Sequence, residues 1–200
     1  MNITNSRLDS NSAFRTERLI RLLDAIITLK EYETRASGET TSSSKSRILC
    51  IGPRNESELL LFRIMGYKNV EGSDLISYSP LIKVMDMHDL KYEESRFDVV
   101  FSCMAIGKAS DFNKVAQEII RVARPGAYVA LSDGMNPIDP IPVDGNIEDW
   151  SMTNYPTKVT PFSNGVSDVY QAFGDHVGEI FWSNQAPPEG MFTTFFRIRK

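Results

Sequence analysis

A chain of 200 residues is long enough for one domain with a sizeable core, and 42% hydrophobic with 24% charged residues is an ordinary globular balance. The formal net charge is −4 with no Lys/Arg-rich block, which argues against a nucleic-acid surface, and no apolar run reaches the ~20 residues that span a bilayer. Cys50 and Cys103 sit apart inside apolar runs and, like His88 and His176, lack metal-ligand spacing, so no metal is expected and the two thiols fit a reducing, cytoplasmic compartment.

In chain order, the polar residues 1–13 read as a flexible N-terminus and residues 14–200 as a single domain. From Phe14 to about Arg35, Phe14, Leu19, Leu22, Leu23, Ile26 and Ile27 mark one apolar side of a helix. That side packs on the rest of the fold by default; a cover over a ligand cleft or a homodimer contact is the alternative. Residues 36–46, "ASGETTSSSKS", have the composition of a linker. Strand and helix patterns then alternate. "RILCI" (47–51) is a strand, and Asn55 is placed to cap the next helix, with Glu58 at capping-box spacing and Gly66 as the stop. "NVEGSD" ends a second strand at Asp74, "LIKVMD" a shorter third at Asp86, and "FDVVFS" is a fourth. "DFNKVAQEIIRVA" is an amphipathic helix with Phe112, Val115, Ile119 and Val122 on one side; "RPG" (124–126) turns the chain into "AYVALSD", a fifth strand.

Residues 134–165 change character, with Pro137, Pro140, Pro142, Pro156 and Pro161. This long connection follows the carboxyl end of a strand, the edge where ligands bind in such sheets, and reads as a substrate lid carrying Trp150, Tyr155 and Phe162. In 166–200, "SDVYQAFGD" resumes a helix, and "GEIFWSNQ" and "MFTTFFRIRK" form a terminal antiparallel pair joined through "APPEG". The predicted fold is α/β: a doubly wound, Rossmann-like, seven-stranded sheet, mostly parallel with an antiparallel last strand.

The first strand–turn–helix, "RILCIGPRNESELLLF", has the layout of a nucleotide-cofactor site but holds a single glycine in its turn. A dinucleotide's diphosphate needs closely approaching backbone N–H groups; Pro53 has none, and Glu56 brings negative charge. S-adenosylmethionine has no phosphate, and its amino-acid tail carries both charges. Arg54 and Glu56 are suited to pair with the two ends of that tail, while Gly52 stands where the backbone must come closest. Asp74 lies about 20 residues beyond the turn, placed for ribose hydroxyls. Asp86 is placed to accept from the adenine amine and Met87 to lie against the ring.

The stretches "ILCIGPRNESE", "VEGSDL", "DMHDLKYEESRFDVVFS" and "EIIRVARPGAYVAL" together resemble the class I S-adenosylmethionine-dependent methyltransferases, over roughly residues 47 to 133. More narrowly, "IGPRNESEL", "DLISYSP" and "FGDHVGEIF" look like a bacterial-type subgroup of that family. The resemblance implies a cofactor-binding core with Leu75 beside Asp74 and Ser102 lining the pocket. It also implies methyl transfer to a small-molecule acceptor, at oxygen or nitrogen, by in-line displacement. Asp133 and His88 are the candidate general bases, with His176 a third. Two departures stand out: Cys50 occupies a position where the family carries Asp or Glu, and the later glycines of the first motif are absent. Glu56 is the acid placed to compensate. Two other readings stay open: a methyltransferase-like domain that binds the adenosyl cofactor without turnover, and a nucleotide-dependent oxidoreductase.

Overall fold

A computed structural model describes residues 6–36, 46–134, 162–186 and 191–200. The first helix, α1 (Ser6–Ala36), starts well before the apolar pattern does, since a helix once nucleated extends through polar residues at little cost. Ile20, Leu23 and Ile27 are its fully buried line, so the helix lies on the sheet. The remaining elements are β1 (Arg47–Ile51), α2 (Ser57–Ile64), β2 (Asn69–Asp74), β3 (Ile82–Val84), β4 (Phe97–Cys103), a 3-10 helix (Ile106–Lys108), α3 (Phe112–Val122), β5 (Ala123–Gly134), α4 (Val166–Phe173), a second, short 3-10 turn (Gly174–His176), β6 (Val177–Ala186) and β7 (Met191–Ile198).

Two expected boundaries move. "RPG" does not separate α3 from the fifth strand: β5 begins at Ala123, and Gly126, at φ +77°, sits in an irregularity where the pairing jumps from Phe97↔Ala123 to Val99↔Tyr128. The third strand is shorter than its apolar run, three residues paired to β2 at Gly72, Ser73 and Asp74.

The seven strands run in the order β3-β2-β1-β4-β5-β7-β6, with β7 antiparallel to both neighbours and the other pairings parallel. Alternate side chains feed two cores. Ile48, Cys50, Val99, Phe101 and Phe195 face α1 and α2; Leu49, Ile51, Val100, Leu131 and Phe196 face α3 and α4. Phe162, expected on the lid, is instead fully buried in the second core, with ring centroids 4.6 Å from Phe112 and 4.8 Å from Phe192. Trp150, Tyr155 and the rest of the expected lid to residue 161 lie outside the described residues, as do 1–5 and most of the expected linker. Among the described residues no helix is long and apolar enough to cross a membrane.

Candidate functional site

The connection after β1 packs its helix on one face of the sheet and the connection after β4 packs its helix on the other, so a crevice opens between the carboxyl ends of these adjacent strands. Gly52 forms its floor. Its φ of +71° and a Cβ position only 2.2 Å from the Cβ of Ala105 leave room for no side chain, and its N–H donates to the Ser73 carbonyl at 2.8 Å. Pro53 is buried as a plug over β2: a Cβ on Gly72 would come within 3.1 Å of the Pro53 Cγ.

Beyond the plug the bend reaches solvent. Arg54 and Asn55 are exposed and Glu56 is half-buried. The Asn55 Oδ1 accepts from the Ser57 N–H at 3.0 Å, a turn just ahead of the helix, but the N-cap position is Glu56 and no side chain caps α2, so Asn55 is not the expected cap. The expected capping box does not form, because Glu58 points inward: it is buried, and its Oε2 has no hydrogen-bond partner. A hydrogen bond from Ser79, in the loop after β2, holds the Glu56 carboxylate below the usual range.

The next two strand ends each bring an acid to the same edge. Asp74 closes β2, half-buried, with its carbonyl accepting from the Met85 N–H at 2.9 Å; Leu75 beside it is exposed. Asp86 follows β3. Its Oδ1 accepts from the His88 N–H at 2.9 Å and lies 2.6 Å from the ring Nδ1; these two contacts, the backbone one first, hold Asp86 below the usual carboxylate range. Met87 is half-buried against the α3–α4 core. His88 Nε2 accepts from the Asp111 N–H at 3.3 Å, and Asp111 in turn caps α3 by accepting from the Lys114 N–H at 3.2 Å. Both ring nitrogens of His88 are thus engaged, joining the loop after β3 to the start of α3.

On the other side of the crevice, Ser102 is not a lining residue. It is fully buried, and its hydroxyl donates to the Ile51 carbonyl at 3.0 Å, stitching β4 to β1. Met104, two residues on, is the exposed one, held at φ +61° with its N–H on the Ser132 carbonyl at 2.8 Å. Asp133 is buried at the end of β5, and its two oxygens accept from the Gly107 and Gly134 N–H groups, each at 2.7 Å. Burial raises its pKa against the pull of those donors. Its fit is close: a Cβ on Gly107 would stand 2.6 Å from Asp133 Oδ1. His176 lies at the start of β6, the opposite edge of the sheet, with Nδ1 2.9 Å from the Arg199 carbonyl. The sequence therefore brings Gly52, Arg54, Glu56, Asp74, Leu75, Asp86 and Met87 to one edge, turns Ser102 away, and leaves His176 remote. Glu58, expected as a capping-box acid, is buried instead, because its spacing matches an inward position as well as a cap.

Two cavities, of about 430 and 310 Å³, lie elsewhere: one between α3 and α4 near Asp111 and Asp168, the other near Arg124 and Arg197 at the amino ends of the strands. Neither includes the residues that converge at the crevice, so the convergence of acids on a glycine-floored bend, and not cavity size, marks the site.

A family profile described as a methyltransferase domain matches residues 67–131. A sterol methyltransferase-like protein of Botryococcus braunii is 40% identical over 50 residues, a segment that spans 25% of this chain and 13% of that protein. Among solved structures, a methyltransferase of Haloferax volcanii in complex with the Trm112 activator aligns over 92% of this chain and 98% of its own (TM-score 0.56, 14% identity). A SAM-dependent methyltransferase of Methanosarcina mazei aligns over 79% and 94% (0.56, 17%). The [4+2]-cyclase SpnF aligns over 77% and 75% (0.58, 12%). At these identities the structures establish a shared fold.

Proposed function

We propose that the chain is a class I S-adenosylmethionine-dependent methyltransferase and that it methylates a small-molecule acceptor, at oxygen or nitrogen, a reading supported by the methyltransferase-domain match over residues 67–131 and by the shared fold. S-adenosylmethionine is the cofactor of the family, and the residues present fit it: the Gly52 floor admits no side chain, Pro53 offers no amide to a diphosphate, and acids stand at successive strand ends. When bound, the cofactor supplies a methyl group on a cationic sulfur. Asp74 would accept from the ribose hydroxyls, with Leu75 beside it. Asp86, its Oδ1 already taken by His88, would offer its second oxygen to the adenine amine, and Met87 a thioether to the ring. Arg54 and Glu56, at the rim, bracket the amino-acid end. The single observation that carries this reading is the acid-lined, glycine-floored crevice at the β1–β4 switch.

Asp133 and His88, the candidate bases, are both tied into contacts with the backbone, which favours catalysis by positioning over catalysis by a dedicated base. A second reading, binding of the adenosyl cofactor without turnover, is supported by the altered first motif. Calorimetry with S-adenosylmethionine, S-adenosylhomocysteine and NAD separates the possibilities. Both adenosyl compounds should bind, and Asp74→Ala should weaken them by about tenfold or more. Binding of NAD alone would overturn the proposal. Adenosyl binding with no labelled methyl passed to any fraction of a cell extract would leave the second reading.

A further inference from the structure

The loop after β3 sets a histidine behind one of the acids of the crevice, and its contacts fix which ring nitrogen carries the proton. His88 Nε2 lies 3.3 Å from the Asp111 backbone nitrogen, and an amide N–H can only donate, so Nε2 is the accepting nitrogen. The Ser110 hydroxyl, also 3.3 Å away, can donate to the same atom. Nδ1 therefore bears the hydrogen, and it donates to Asp86 Oδ1 at 2.6 Å.

That assignment leaves the two oxygens of Asp86 unequal. The His88 backbone N–H and Nδ1–H both fall on Oδ1, and Oδ2 has no hydrogen-bond partner among the described residues. The Asp86 side chain is 52% exposed, and a carboxylate that open to water turns freely unless a neighbour holds it. His88 is that neighbour. Its own side chain is only 15% exposed, and Asp111, whose N–H it accepts, caps the start of α3. Met87, between the two, packs on the α3–α4 core. The imidazole thus refers an exposed carboxylate on a loop to a helix of the scaffold, and both of its nitrogens are used in doing so.

We propose that His88 is a positioning residue for base specificity: its Nδ1–H turns Asp86 so that the free oxygen meets the exocyclic amine of an adenine ring and stands against the 6-oxo group of hypoxanthine. An amine donates to that oxygen, whereas an oxo group opposes it with a second acceptor, and the contrast is sharp only when the carboxylate cannot turn away. The assignment rests on the adenosyl-binding reading above, and the experiment keeps the two apart. Binding of S-adenosylhomocysteine and of S-inosylhomocysteine is measured by calorimetry for the wild type, His88→Ala and His88→Asn, with melting temperatures of the ligand-free proteins alongside. The wild type should prefer the adenosyl compound by about tenfold or more. His88→Ala should lose most of that preference. His88→Asn, whose amide can donate from near the Nδ1 position but cannot reach Asp111, should keep it to within about threefold. A staple that only holds the loop to α3 would lower the melting temperature and weaken both compounds alike; that result, or an unchanged preference in His88→Ala, overturns the assignment. Loss of the preference in His88→Asn as well as in His88→Ala overturns the role given to Nδ1–H. A wild type that binds both compounds equally overturns the assignment while adenosyl binding stands. A wild type that binds neither overturns the adenosyl reading itself, and this assignment with it.

Discussion

Glu58 keeps its proton to a higher pH in the folded protein than in the unfolded chain, its pKa rising from 4.5 to about 8 through burial first and the Asp74 charge second. Between those two values the folded state binds the proton more tightly, so the Glu58 contribution to stability is full below 4.5, declines as the pH rises, and is gone above about 8. Glu71, Asp86 and Glu118 carry the opposite sign: partners hold their carboxylates below the usual range, so their contribution is lost on acidification. Thermal melts from pH 5 to 8 should therefore show a decline in the ligand-free wild type that Glu58→Gln lacks; the same decline in the variant would place its origin in another group. At this scale the sequence reveals residue type and spacing but not direction. Gly52, Asp74 and Asp86 were legible because a strand end fixes where they stand. Ser102 and Glu58 were not, because a single rotation about Cα decides whether each meets the crevice or the interior.

At the scale of elements, Asp133 is the clamp of the crevice's β4–β5 side. Its contact with the Gly107 N–H holds the 3-10 helix against the end of β5, where its other oxygen accepts from Gly134, and that helix begins beside Met104, strained at φ +61°, and Ala105, which presses on Gly52. Asp133→Ala leaves two amide donors without their acceptor and should cost about 2 kcal/mol or more in chemical denaturation. Asp133→Asn keeps one acceptor and should cost less. An unchanged midpoint for Asp133→Ala would show that the clamp carries no stability. The strands β1 and β2 matched their sequence limits because each is an apolar run closed by a turn signal. The limits of α1 and β5 shifted for opposite reasons: polar residues prolong a helix already formed, and "RPG", a turn in isolation, is absorbed into a strand once Phe97 pairs with Ala123.

For the molecule as a whole, the alternation of strands and helices made the parallel sheet legible, and the two cores follow from the pleat. What the pattern left unstated was how far the aromatic residues unite the α3–α4 face. Phe162 lies between Phe112 on α3 and Phe192 on β7. Phe162→Ala should cost about 3–5 kcal/mol, read as a shift in the denaturation midpoint. A small shift would instead assign Phe162 to the substrate side. The position of β7 was also beyond the pattern, although its nearly continuous burial, against the exposed Ile180 and Trp182 of β6, is the trace it leaves in composition.

That position bears on how the protein is made. β7 wedges between β5 and β6 although it is the later of the pair to leave the ribosome. A nascent chain that has emerged only through β6 holds one strand with nothing to hydrogen-bond to and a central sheet with a bare flank, the two kinds of edge that invite mispairing. The sheet therefore stays open until β7 has emerged, and β7 acts as the keystone that silences both edges at once.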